Sequence, residues 1–187
     1  MSQGVRESRR RFLAGVAGAT AAVGVGGCID GDEPGDSPAG RLRDVDKYPR
    51  MHVASLDELD VGEVVEFDYP LDGQSNFLTK LGENAWKGEG PDGDVVAFSS
   101  LCTHMGCSVA DQVEPENGVA GPCPCHYTTF DLEKAGMTVT GPATTDLPQV
   151  RLEVEDDSVY ATGVDGLVYG YRANTADGEA VEGTEDA

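Results

Sequence analysis

The chain has 187 residues and carries 34 Asp and Glu against 13 Lys and Arg, a formal net charge of −21. Only four of the cations are lysines (Lys47, Lys80, Lys87, Lys134), so the basic clusters that bind nucleic-acid phosphates or anionic lipid headgroups are missing. With 39 % hydrophobic residues the chain still has the material for a core, and its acidic, lysine-poor composition suits high salt, where screening removes repulsion between carboxylates; an ordinary acidic exported protein is the plainer alternative.

Positive charge is concentrated at the N-terminus. Arg6, Arg9, Arg10 and Arg11 precede an uncharged run rich in Gly and Ala over residues 12–29, the basic head and apolar stretch of an export signal. Ser8-Arg9-Arg10-Arg11-Phe12-Leu13 resembles the twin-arginine signature, an export route for folded cargo. Residues 1–27 are read as this signal. Its removal takes four arginines and one glutamate, leaving 9 basic against 33 acidic residues, or −24. Val25-Gly26-Gly27-Cys28 resembles a lipobox, which makes Cys28 a lipidated mature N-terminus. The rival is an uncleaved anchor, since the 18 residues of 12–29 are the bare minimum to cross about 30 Å of hydrocarbon. Either way the domain is expected to be tethered at the outer face of the cytoplasmic membrane.

Residues 28–47 form an acidic Gly/Pro tether with nothing to bury. From 48 to 172 the pattern becomes strand-like. Val65, Phe67 and Tyr69 alternate with polar residues, as do Val150, Leu152 and Val154. Residues 76–81, 95–99, 158–162 and 167–171 are further short strands, with Asp156-Asp157-Ser158 as a hairpin turn. Residues 55–59 suit a single helical turn. Gly and Pro punctuate nearly every gap, so the expectation is a small antiparallel all-β domain. Residues 173–187, acidic and small, read as a disordered tail.

Of five cysteines and three histidines, Cys28 lies at the signal's end and His52 stands alone. The other six fall into two tight groups, Cys102-Thr103-His104-Met105-Gly106-Cys107 and Cys123-Pro124-Cys125-His126. Soft thiolates with imidazoles suit zinc or an iron–sulfur cluster. Structural zinc sites usually draw two cysteines from one knuckle and two histidines from another. Here each group combines cysteine with histidine instead.

These two boxes resemble the cluster-binding loops of the Rieske iron–sulfur proteins, whose 2Fe–2S cluster has two cysteines on one iron and two histidines on the other. The resemblance implies a small all-β sandwich or barrel with an inserted cluster-binding subdomain, its loops near 100–107, 121–131 and 141–143. It places Cys102 and Cys123 on one iron and His104 and His126 on the other. It also pairs Cys107 with Cys125 in a disulfide, a bond that needs an oxidising compartment. Gly141-Pro142-Ala143 resembles the proline loop that shields the cluster in this family. Imidazoles in place of thiolates set Rieske potentials at about −150 to +300 mV, against roughly −400 mV for plant-type ferredoxins. High-potential members follow the second box with Gly-Ser and, two positions later, Tyr. This chain has Tyr127, Thr128 and Phe130 there. Thr128 keeps a hydroxyl and Phe130 lacks one, which predicts a potential below that of the quinol-oxidising members.

Beyond the boxes, residues 93–98, 128–136, 143–148, 163–170 and 173–174 resemble the small subunit of arsenite oxidase. That likeness implies a one-electron relay without a catalytic site of its own. It would pass electrons from a large molybdopterin subunit to a c-type cytochrome or cupredoxin. The alternative is a Rieske subunit of a quinol-oxidising cytochrome b complex or of another respiratory molybdoenzyme. A soluble ferredoxin serving an oxygenase suits neither the export signal nor the extra cysteine pair.

Overall fold

The structure, a computed structural model, describes residues 48–175 and 181. The twin-arginine segment, Cys28, the tether and the tail beyond 175, except Val181, lie outside the described residues. Ten strands build the domain: β1 (Met51–Ser55), β2 (Val64–Asp68), β3 (Ser75–Lys80), β4 (Val95–Ser99), β5 (Val113–Glu114), β6 (Val119–Ala120), β7 (Thr129–Asp131), β8 (Met137–Thr140), β9 (Gln149–Glu155) and β10 (Ser158–Asp165). Every pairing is antiparallel. A six-stranded sheet in the order β1-β10-β9-β4-β3-β2 curls into a nearly closed barrel, and β5-β6-β7-β8 form a second sheet. The second sheet is inserted between β4 and β9, as the all-β expectation with an inserted subdomain required.

Strand alternation explains how the insertion is held. Successive side chains point to opposite faces, and β3 and β4 use both. Phe77, Val96 and Phe98 enter one core with Phe130, Leu132 and Leu147 of the insertion and its return. Leu78, Val95 and Ala97 enter the other, within the barrel, with Leu152, Val159 and Ala161. Phe77 lies opposite Phe98, and Leu78 opposite Ala97. All of β4 is therefore buried, walled by the barrel on one face and the insertion on the other. A one-residue slip would send each side chain to the wrong core. Cys102 and Cys123 belong to the same core as Phe98 and Phe130.

β2, β3, β4, β9 and β10 lie where alternation put them, and a 3-10 turn at Leu56–Glu58 falls within 55–59. Asp156, at φ +54°, turns β9 into β10. The run 167–171 is not a strand. Gly166 and Gly170 take φ of +94° and +88°, which bends the chain at both ends. Buried Asn174 closes the resulting loop: its Oδ1 accepts the Val168 N–H at 2.9 Å, and its Nδ2 donates to the Gly166 carbonyl at 2.8 Å and to Tyr48 Oη at 3.2 Å. Asn174 is thus part of the folded domain, although composition groups it with the tail. His52 sits in β1, edge-on to Tyr160 with ring centroids 5.6 Å apart.

Candidate metal centre

Each box opens with a cysteine on the same kind of turn. The Gly106 N–H donates to the Cys102 carbonyl at 2.8 Å, and the Cys102 N–H to the Cys107 carbonyl at 2.9 Å. In the second box the Tyr127 N–H donates to the Cys123 carbonyl at 2.9 Å, and the Cys123 N–H to the Thr128 carbonyl at 2.7 Å. The turns need a left-handed residue at matching places, Gly106 at φ +75° and Tyr127 at +63°. Glycine adopts this freely, whereas tyrosine does so at a cost of about 1–2 kcal/mol. The repeated turn puts the two leading cysteines in equivalent positions.

Cys102 and Cys123 are each 1 % exposed and unbridged. Burial, and then the neighbouring Cys123 sulfur, push the Cys102 thiol up, while the His104 N–H and the Thr128 hydroxyl pull the other way. A thiol that holds its proton in this way must release it to become a metal ligand. The His104 and His126 rings stand edge to face with centroids 4.6 Å apart. His126 is exposed and His104 half-buried. His104 Nδ1 is nevertheless buried without a hydrogen-bond partner, and so is the hydroxyl of Thr128, which lies beside the Cys102 sulfur. An unpaired buried polar atom costs about 1–3 kcal/mol, so both have hydrogen-bonding or ligating capacity left for a bound group.

Among the described residues no group of three or more His, Cys, Asp and Glu side chains is placed to hold a single ion. Two buried thiols and two imidazoles in facing pairs instead fit a binuclear iron–sulfur cluster with two protein ligands per iron.

Cys107 and Cys125 are disulfide-bonded, with Cα atoms 6.4 Å apart, and the bond ties the boxes together. The third loop lies directly on Thr128, since a Cβ on Gly141 would fall 2.5 Å from the Thr128 Cα; Pro142 is on its exposed side. Phe130 sits beneath, fully buried in the core that holds both free cysteines. The sequence thus led to Cys102, His104, Cys123 and His126, which the fold brings together, and to Thr128, Phe130 and Pro142 around them. It did not lead to Thr103, whose hydroxyl donates to the Thr145 carbonyl at 2.7 Å. Nor did it lead to Tyr169, whose ring covers Gly106 so closely that a Cβ there would meet Cδ1 at 2.4 Å. No spacing signal marks either residue.

Residues 50–151 match the family model of the Rieske 2Fe–2S domain. The chain is 48 % identical over 129 residues to iodate reductase subunit IdrB of Denitromonas iodatirespirans, covering 69 % of this chain and 70 % of that protein. It is 48 % identical over 124 residues to the subunit of the same name in Pseudomonas sp. strain SCT, covering 66 % and 65 %. The match therefore takes in about two thirds of the length of these relatives. The fold is similar to the soluble domain of Rieske protein II from Sulfolobus acidocaldarius, with a TM-score of 0.59 and 26 % identity, covering 67 % of this chain and 83 % of that one.

Proposed function

This chain belongs to the Rieske family and carries a 2Fe–2S cluster, and from that premise we propose that it is the electron-transfer subunit of a respiratory oxyanion oxidoreductase. Cys102 and Cys123 are its ligands to one iron, and His104 and His126 its ligands to the other. The observation that carries this reading is the contrast in burial: both thiols are 1 % exposed, whereas the paired imidazoles reach the surface. When bound, the cluster supplies one-electron exchange at a potential above that of all-thiolate clusters. The protein's own residues keep water from the sulfurs and give an electron its shortest way in or out along the two histidine rings. The chain has no catalytic site of its own.

Two features support a large molybdopterin partner. Two relatives, each 48 % identical, are named as iodate reductase subunits, and segments 128–136, 143–148 and 163–170 resemble the small subunit of arsenite oxidase. Reducing iodate and oxidising arsenite both move oxygen at an oxyanion, so a single-electron relay serves either. We take iodate as the partner's substrate, because the two relatives at 48 % identity are named as iodate reductase subunits. Electrons then enter from a c-type cytochrome or cupredoxin and leave toward the large subunit; with arsenite the direction reverses. Twin-arginine export and a tether through Cys28 or residues 12–29 put the domain at the outer face of the membrane, an oxidising side on which the Cys107–Cys125 bond persists.

Purification of the full chain from membranes tests this. A molybdenum-containing large subunit is expected to accompany it, and the preparation to oxidise reduced cytochrome c with iodate. Cys123→Ser should abolish both the visible absorption of the cluster and turnover. A preparation that lacks molybdenum, or that turns over neither iodate nor arsenite, overturns the assignment.

A further inference from the structure

The family match ends at residue 151, yet a segment beyond it reaches back to the first box. Residues 166–174 follow β10 and are fixed at three places. Val168, 1 % exposed, is inserted into the core within the barrel. Asn174 accepts the Val168 N–H and donates to the Gly166 carbonyl and to Tyr48 Oη. The Tyr171 N–H donates to the Val168 carbonyl at 3.2 Å. Between these fixings Tyr169 lies over Gly106, where an added Cβ would fall 2.4 Å from its Cδ1 and 2.7 Å from its Cε1. Gly106 closes the turn that carries His104, because its N–H donates to the Cys102 carbonyl. The other side of that turn is pinned where the Thr103 hydroxyl meets the Thr145 carbonyl at 2.7 Å. His104 and Met105 thus lie between two clamped neighbours, Thr103 and Gly106.

The second box is open at the matching place. Tyr127 stands where Gly106 stands in the first, in the same left-handed conformation, and is 71 % exposed. His126 is exposed as well, whereas His104 is half-buried. Two turns with the same hydrogen bonds therefore differ in what lies on them. We propose that residues 166–174 are a latch on the first cluster loop, with Tyr169 as the positioning residue that holds His104, so that the two histidine ligands are inequivalent. His104 is the fixed and shielded one, and His126 the open one. The inference rests on the ligand set proposed above and deepens it by giving its two imidazoles different roles. The contact sets ring carbons against a backbone without a side chain, so it transmits position rather than charge. Its own support is the barrel core and Asn174, the kind of packed surroundings that lock a ligand-bearing loop in advance. Removing the ring frees Gly106, the residue type with the widest conformational choice, two positions from an iron ligand, and admits water from that side.

The experiment uses the cluster-loaded full chain and two readouts. One is iron release to excess ferrozine after reduction with dithionite, and the other is the pair of histidine nitrogen couplings in pulsed electron paramagnetic resonance. Tyr169→Ala is expected to release iron at least about tenfold faster, the rate equivalent of losing an aromatic contact worth ~1.4 kcal/mol. It should also shift one nitrogen coupling while the other stays at its wild-type value. Tyr169→Phe keeps the ring and should match wild type in both readouts. Asn174→Ala frees the latch without touching the ring and should move both in the same direction as Tyr169→Ala, which keeps the test decisive where Tyr169→Ala does not fold. Leu167→Ala, exposed on the same loop, should change neither. Release and couplings that stay at wild-type values in Tyr169→Ala or in Asn174→Ala overturn the latch, whatever happens to the melting temperature, since packing alone would lower that. An equal shift of both couplings overturns it too, as does a Tyr169→Phe chain that behaves like Tyr169→Ala. A wild-type chain whose spectrum lacks two histidine nitrogens removes the ligand set, and the latch with it.

Discussion

Thr128 shows how one side chain tunes the centre. Its hydroxyl is buried without a partner and lies beside the Cys102 sulfur, and Gly141 packs against its backbone. A hydroxyl that donates toward a cluster sulfur favours the reduced, more negative state and raises the potential. Thr128→Val keeps the shape and removes the donor. The potential of the loaded protein is expected to fall by about 40 mV, the one-electron equivalent of a hydrogen bond worth ~1 kcal/mol. The unloaded protein should lose little stability, because the deleted hydroxyl meets only the weak sulfur acceptor of Cys102 there. Film voltammetry reads the first effect and urea titration of the unloaded chain the second; an unchanged potential would mean the hydroxyl is aimed elsewhere. Phe130 poses the complementary test, being fully buried in the core that contains both free cysteines. Phe130→Tyr adds a donor to that core and should raise the potential by a similar amount, and a lowered value in the same voltammetry counts against it.

Between single residues and the whole domain lie two elements that hold the loops around the centre. The inserted sheet has strands of two to four residues, too short to be stable alone, and it relies on cross-links. Cys107 and Cys125 close a loop with a sequence separation of 18, which is worth about 3 kcal/mol in the chain-entropy description. Replacing both by serine should cost about that much in non-reducing urea unfolding, and no loss at all would mean that the core alone holds the insertion. Asn174 does the same for the loop over residues 166–171, and Asn174→Ala leaves the Val168 N–H and the Gly166 carbonyl unpaired. A loss of about 2–3 kcal/mol is expected, with faster amide exchange in residues 166–171 than in β9; protection equal to wild type would refute the staple. The same elements mark where reading from sequence stops. β4 and β9 are legible because five to seven residues display their apolar faces. β5 to β8 are not, because two to four residues cannot show a period and their burial is decided by Val96 and Phe98 on another strand. The cluster ligands are legible because cysteine and histidine crowd into two short boxes. Tyr169 and Asn174 are silent because their partners are remote, Tyr48 lying 126 positions from Asn174. The apolar run 167–171 imitates a strand, and only the positive φ of its two flanking glycines removes it from the sheet.

At the scale of the whole molecule, the excess of acid sets the response to salt. Thirty-four carboxylates share 13 Lys and Arg, so most carboxylates have no cation to pair with. The ion pairs among the described residues, such as Arg50 with Glu155, Lys87 and Arg151 with Asp165, and Lys134 with Asp131, all involve solvent-exposed groups. Exposed pairs contribute only about 0–1 kcal/mol each and weaken as salt rises. Repulsion among the unpaired acids weakens too, and over a longer range, because the screening length falls from about 10 Å at 0.1 M to about 3 Å at 1 M. With carboxylates in such excess the repulsive sum should be the larger, which predicts that salt stabilises this fold. The melting temperature of the loaded domain is therefore expected to climb steadily from 0.1 to 2 M KCl. Scanning calorimetry on the chain across a KCl series measures it. A melting temperature that stays level or falls would show that the attractive pairs outweigh the repulsion, and would leave the acidic composition without a role in stability at high salt.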